Sequence, residues 1–428
     1  MFNKIKRDLI ITICIIMLSF CCGCGRNAVN TPVEPVLLPI SEEEMENNTI
    51  GDSTDKNKTS SEIASEESSE RSVDNNPEAT EDEVAVSIIM VGDMLLHDRI
   101  EEVSKKADNT YEYGAIFDNT RDLISEADIA IVNEEVIIGG SELGVSGYPA
   151  FNAPFEFADT LADTGFDVVC HATNHALDKG GKGIKNCLAN WESKYPDMTV
   201  LGIHDSEVDQ NEVSIIDING IRVAILNYTY GTNGISLPAN MPYAVDYINQ
   251  EKIIQDLEYA EANADFTIVC PHWGTEYSLS PDSYQDKWAK IFAENGADLI
   301  IGTHPHVIEK IDWISHDDGN GETLCYYSLG NFVNWTSGTG QGVANRMVGA
   351  IASIEIKRTG EDKVEISNYD AIPVVSHVTS KDNGVTVYLL SDYTDELAVE
   401  NEIISQAPDF DLNYCKELVG KILGDEFQ

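Results

Sequence analysis

VAVSIIMVG, residues 84–92, is a short apolar run closed by a glycine, the pattern of a buried β-strand. Four more runs of this kind follow: DIAIVN (128–133), FDVVCHA (166–172), DFTIVCP (265–271) and ADLIIGT (297–303). Helix-like stretches such as AIFDNTRDLISEA (115–127) and YQDKWAKIFAENG (284–296) precede them. That alternation predicts βαβ units and a largely parallel inner sheet. Between the runs, VSIIDINGIRVAILNYT (213–229) sets Asn219-Gly220 between two alternating segments, a strong hairpin signal. Beyond residue 345, NRMVGAIASIEIKR, KVEISNYDAI and GVTVYLL read as antiparallel strands, and ELAVENEIISQA and LNYCKELVGKIL as closing helices.

Each of the five parallel-type runs ends in polar residues able to bind metal. Asp93 follows the first, and Glu134 and Glu135 the second. Asn174 and His175 follow the third, His272 the fourth, and His304 and His306 the fifth. In open α/β sheets the carboxyl ends of strands line one crevice, so distant residues converge there. Carboxylate, amide oxygen and imidazole without thiolate suit Mn, Fe or Zn, and six or seven such ligands are enough for two ions. Pro305 rigidly separates the two imidazoles of GTHPH, which favours chelation over a pair of loop histidines.

The motifs GDMLLH (92–97), VNEE (132–135), TNHALDKG (173–180), PHWGTEY (271–277), GTHPHV (302–307) and YSLGNF (327–332) together resemble the CapA family of poly-γ-glutamate capsule proteins. That family is similar to the calcineurin-like metallophosphoesterases, which implies a four-layer α/β/β/α sandwich holding two divalent ions. By motif, the resemblance implies Asp93 and His306 on the first ion. Glu135 bridges the two, and Asn174, His272 and His304 hold the second. It gives His175 the role of general acid, with Asp178 as its orienting partner. In two places the chain departs from the phosphoesterase pattern. Leu95 stands where that pattern has His, leaving His97 as a candidate replacement, and Glu135 stands for Asp, with Glu134 beside it as an alternative.

Among the other candidates, Trp273, Tyr277 and Trp335 either line a pocket or pack, and Asn331 is expected to stabilise a turn. His171, His204, His316 and His377 lie outside the motifs and read as ordinary surface or core residues. Cys170, Cys270 and Cys325 sit in apolar runs and read as core thiols. The odd number of cysteines beyond Cys24 implies no disulfide framework.

The chain has 428 residues, 74 acidic and 27 basic, for a formal net charge of −47. Such a charge disfavours nucleic acid and repels a polyanion unless divalent ions or local cations intervene. Lys4, Lys6 and Arg7 precede the apolar run Leu9 to Phe20, and Cys21, Cys22, Gly23 and Cys24 follow it. This predicts an export signal over 1–24, acylation of Cys24, and a lipid-anchored protein on the outer face of the cell membrane. Residues 25–83, with stretches such as SEEEMENN and SSEIASEESSE, read as a disordered acidic tether. The main domain is expected over 84–375, with a C-terminal strand and helices over 376–428. Three functions fit this reading. One is assistance to poly-γ-glutamate synthesis or export, with a surface polymer as substrate and membrane synthase or export subunits as partners. A second is hydrolysis of phosphoester or γ-glutamyl envelope bonds unconnected with capsule, and a third is a metal-stabilised binding module.

Overall fold

The computed structural model describes residues 84–360, 363–381 and 384–427, all within one compact unit that spans 77–428. The export signal, Cys24 and the tether lie outside the described residues.

Among the described residues fourteen strands form two sheets. The first has the order β14-β13-β12-β1-β2-β3-β4, with β11 (Asn331–Asn334) also paired to β1 (Ala85–Leu95). Strands β2 (Ile129–Asn133), β3 (Val168–Cys170) and β4 (Thr199–Leu201) continue parallel from β1. On its other side lie β12 (Val348–Arg358), β13 (Val364–Val378) and β14 (Val385–Leu389), all antiparallel, with short connections joining β12 to β13 and β13 to β14. The second sheet has the order β5-β6-β7-β8-β10-β9. In it β6 (Ile221–Thr229), β7 (Phe266–His272), β8 (Leu299–Ile301) and β10 (Glu322–Tyr326) run parallel. The edges β5 (Ser214–Ile218) and β9 (Ile311–Ser315) are antiparallel.

The period of two along a strand shows how the layers stack. In β7, Ile268 and Cys270 join the core shared with the first sheet, while Val269 faces the other way, toward Ile253, Leu257, Trp288 and Phe292. Strand β8 repeats this, with Leu299 and Ile301 turned to the shared core and Ile300 to the helices. Cys270 Sγ lies 3.7 Å from Met90 Sδ, so the two sheets touch directly. The helices over Gln250–Asn263 and Ser283–Glu294 cover the outer face of the second sheet, and those over Phe155–Thr164 and Gly180–Lys194 pack into the core of the first. The expected sandwich of two sheets flanked by helices is therefore present.

The hairpin forms at Asn219-Gly220, where both residues have positive φ (56° and 80°), as a tight two-residue turn needs. The parallel pairings expected of the five runs are present in both sheets of the sandwich. The five runs divide between two mixed sheets, because β1 pairs with late antiparallel strands and β7 and β8 pair with β6 and β10. The helix expected over 115–127 is broken into a 3₁₀ turn, Gly114–Phe117, and a short helix, Arg121–Ser125. The division after residue 375 falls inside β13. Cys170, Cys187, Cys270, Cys325 and Cys415 are all free and buried. Among the described residues no helix is long and apolar enough to cross a membrane.

Candidate metal centre

Asp93 is placed by a close approach between two glycines. A Cβ on Gly92 would lie 2.0 Å from the carbonyl oxygen of Gly330, and the Asp93 N–H donates to that same oxygen at 2.9 Å. The GD and SLGNF motifs thus need each other for packing. The Asp93 carboxylate accepts from Asn133 Nδ2 at 2.9 Å and sits 3.1 Å from His306 Nδ1.

Glu135, two residues beyond β2, completes a first group of ligand atoms with Asp93 and His306 and a second with His272 and His304. Its Oε1 is 3.8 Å from His272 Nε2 and its Oε2 is 3.6 Å from His306 Nδ1. Both oxygens are buried without a hydrogen-bond partner, and so is His304 Nδ1. Asn174 belongs with the second group, its Oδ1 lying 2.9 Å from His272 Nε2. Thr303 Oγ1, 3.0 Å from His272 Nδ1, fixes the ring. All six expected ligand positions converge between the ends of the two sheets.

Burial pushes the carboxyl of Glu135 well above the usual range and the imidazoles of His272 and His304 well below theirs. Burial also opposes charge on His306, but the carboxylates of Glu135 and Asp93 outweigh it and hold that ring up to about 10. Buried acceptors with orphaned lone pairs are costly, and divalent cations would satisfy them. The donor set therefore fits divalent metal.

His175 stands beside the groups, with Nε2 3.9 Å from Glu135 Oε1 and Nδ1 2.7 Å from Asp178 Oδ2. Asp178 Oδ2 also accepts the Phe151 N–H at 2.7 Å, and the Phe151 ring packs edge-on against His175 at 4.6 Å. The backbone here is strained. His304, His306, Tyr277 and Asn233 adopt φ of 98°, 60°, 66° and 50°, where side chains other than glycine are disfavoured, and such strain clusters at functional sites.

Of the open alternatives, Glu134 takes part in none of the ligand groups, and burial pushes its carboxyl well above the usual range. His97 lines the cleft with its ring edge-on to Phe151, and burial with His306 and His175 nearby pushes it down to about 3. Asn331 Nδ2 donates to the carbonyls of His306 and Arg346, while its Oδ1 lies 3.0 Å from His306 Nδ1. Trp273 and Trp335 are buried in packing, but Tyr277 lines the cleft. His171 is a core histidine, bonded to Trp191 Nε1 and close to Cys187. Two residues of the site were not singled out from sequence. Glu276 offers a carboxylate to a third group with His304 and His306, and Arg346 forms part of the cleft wall. A signal for Glu276 existed in PHWGTEY, four residues past His272. Arg346 precedes β12 in no recognisable pattern.

Residues 87–336 match the family model described as Bacterial capsule synthesis protein PGA_cap. The chain is 28% identical over 267 residues to the PGA biosynthesis protein CapA of Bacillus subtilis (strain 168), covering 62% of this chain and 67% of that one. It is 27% identical over 263 residues to the Capsule biosynthesis protein CapA of Bacillus anthracis, covering 59% and 61%. The matched stretch thus spans about two thirds of these relatives or less. Among solved structures, the NAD nucleotidase of Haemophilus influenzae aligns with TM-score 0.44 at 13% identity over 74% of this chain and 61% of that one. The 5'-nucleotidase precursor of Thermus thermophilus aligns with TM-score 0.41 at 13% identity over 79% and 59%. At these scores neither structure bears on function.

Proposed function

The chain belongs to the bacterial capsule synthesis protein family PGA_cap, with a CapA-like role in capsule synthesis, and from that premise we propose that it acts on a γ-glutamyl bond of a capsule polymer at a two-metal centre. One observation carries the reading: the orphaned atoms of Glu135 and His304 lie in convergent ligand groups beside a hydrogen-bonded His175–Asp178 pair. Asp93 and His306 would hold one ion, Asn174, His272 and His304 the other, and Glu135 would touch both. Bound there, Mn, Fe or Zn would supply Lewis-acid polarisation and offset the charge that develops on the substrate. His175 stands outside the ligand groups and, as water adds to the γ-carbonyl carbon and the C–N bond breaks, delivers a proton to the leaving nitrogen, so that a carboxylate and an amine result. Asp178 holds its Nδ1 and so fixes the ring with Nε2 toward the centre. Phe151 packs on that ring and limits its rotation. We place the domain outside the membrane, tethered through acylated Cys24, with membrane synthase or export subunits as its partners.

The test is turnover of γ-glutamyl peptides against a panel of phosphoesters by the metal-loaded full chain. Cleavage of the peptides that a chelator abolishes is the expected result. Turnover of phosphoesters alone would place the chemistry with the phosphoesterases. A second reading, a metal-stabilised binding module, has one observation in its favour: Leu95, where the phosphoesterase pattern has His, lines the cleft with an apolar side chain. Metal-dependent binding without turnover of either class would support it.

A further inference from the structure

Arg346 occupies an unusual position for a cation in so acidic a protein. It lies in the 3₁₀ turn Ala344–Met347, on the wall of the cleft that also includes His97, His175, Glu276, Tyr277 and His306. Its guanidinium carbon sits 3.5 Å over the Tyr277 ring, and that ring is 5.9 Å from the ring of His306. The cation is thus stacked beside the ligand cluster. Its backbone is tied there as well, because Asn331 Nδ2 donates to both the Arg346 and the His306 carbonyls.

What the guanidinium lacks is a carboxylate partner. Arg99, Arg222 and Arg358 each have a carboxylate within ion-pair distance and Arg121 donates to the Asp163 carbonyl at 2.7 Å, whereas among the described residues no carboxylate is that close to Arg346. Its Nε is buried without an acceptor, and its weak polar contact is Thr336 Oγ1, 3.5 Å from Nη1. A planar cation held by stacking, with donors unspent, is suited to a bidentate oxyanion. The surrounding charge sharpens the need. Asp178 and Glu276 add negative charge to the cleft wall beside the ligand groups, which an anionic substrate has to overcome.

We propose that Arg346 is the specificity-determining residue that binds a carboxylate of the substrate, the α-carboxylate flanking a γ-glutamyl bond, beside the metal centre. This rests on the γ-glutamyl reading above. The residue binds and orients; it transfers no proton. A phosphate oxyanion would satisfy the same donors, so the probes must separate the two.

The test is calorimetric binding to the purified full chain of three probes: γ-linked triglutamate, the same peptide with α-carboxamides, and inorganic phosphate. Native protein should bind the carboxylate peptide, and Arg346→Ala should weaken it by about 10- to 100-fold, the worth of a charge-assisted pair. Arg346→Lys should recover part of that loss, since it restores charge without the fork. The carboxamide peptide should bind weakly and equally to all three proteins. An equal loss for both peptides, binding of phosphate alone, or no binding of either peptide to native protein would overturn the proposal. Thermal unfolding of each variant guards against misfolding, and Lys serves as the variant that keeps the stack on Tyr277 should Ala unfold. Metal content, measured on the same samples, keeps the two readings apart. Metal bound with Arg346-independent peptide binding sinks this inference alone, and Arg346-dependent binding without metal sinks the two-metal reading alone.

Discussion

His175 Nδ1 lies 2.7 Å from Asp178 Oδ2, and the same oxygen accepts the Phe151 N–H. A ring held at one nitrogen by a carboxylate and packed by an aromatic is built for oriented proton delivery. Because His175 belongs to none of the ligand groups, its change should separate catalysis from metal binding. His175→Asn is expected to keep metal content and unfolding temperature close to native while slowing turnover by about 100- to 10,000-fold. Asp178→Asn should give a milder loss. Depletion of metal in His175→Asn would make this residue a ligand.

The neighbours Glu134 and Glu135 should behave differently. Glu135→Gln removes a carboxylate shared by two ligand groups, so bound metal should fall to about one ion per chain or less. Glu134→Gln replaces a buried carboxylate whose two oxygens have no partner, which should leave metal content unchanged and thermal stability equal or higher. Elemental analysis and thermal unfolding of both variants decide the matter. Equal metal loss in the two would refute the assignment.

The convergence of ligands was legible because each ligand follows an apolar run closely and can be read locally. Glu135 could not be chosen over Glu134 that way, since their separation depends on which of the two side chains turns toward His272 and His306. The distribution of the runs over two sheets was equally hidden, for it is fixed by pairings such as Ile88 with Ile354, far apart in sequence. Arg346 has no motif. Its role follows from the stack on Tyr277 and the bond from Asn331, which appear only once β11 and β12 are side by side.

Gly92 offers a test of how the motifs are held together. A methyl group there would meet the Gly330 carbonyl at 2.0 Å, and backbone cannot yield as a flexible side chain would. Gly92→Ala should cost about 1–3 kcal/mol and displace Asp93, lowering metal occupancy as well as unfolding temperature. A variant with native stability and full metal content would show that the close approach is dispensable.

His204 gives the fold a dependence on pH. Burial alone would lower its pKa, but the carboxylates of Asp209 at 3.0 Å and Asp246 at 2.7 Å outweigh it and raise the ring to about 9. A pKa raised on folding stabilises the native state fully below the unfolded value, near 6.5, and that stabilisation fades as pH rises through about 9. Unfolding temperatures at pH 6 and pH 10 should therefore differ by about 2–5 °C more in native protein than in His204→Gln. An identical difference in both would remove His204 from the account.

The central claim is that these side chains hold two divalent ions, and metal content is the measurement that bears on it most directly. Elemental analysis of the purified full chain, equilibrated with Mn, Fe or Zn and freed of excess, should find about two ions per chain. His304→Ala and His306→Ala should each fall well below that and unfold at lower temperature, because each loses an inner nitrogen from groups that also contain Glu135. A native chain that retains no divalent ion, or histidine variants that retain as much as native protein, would contradict the account.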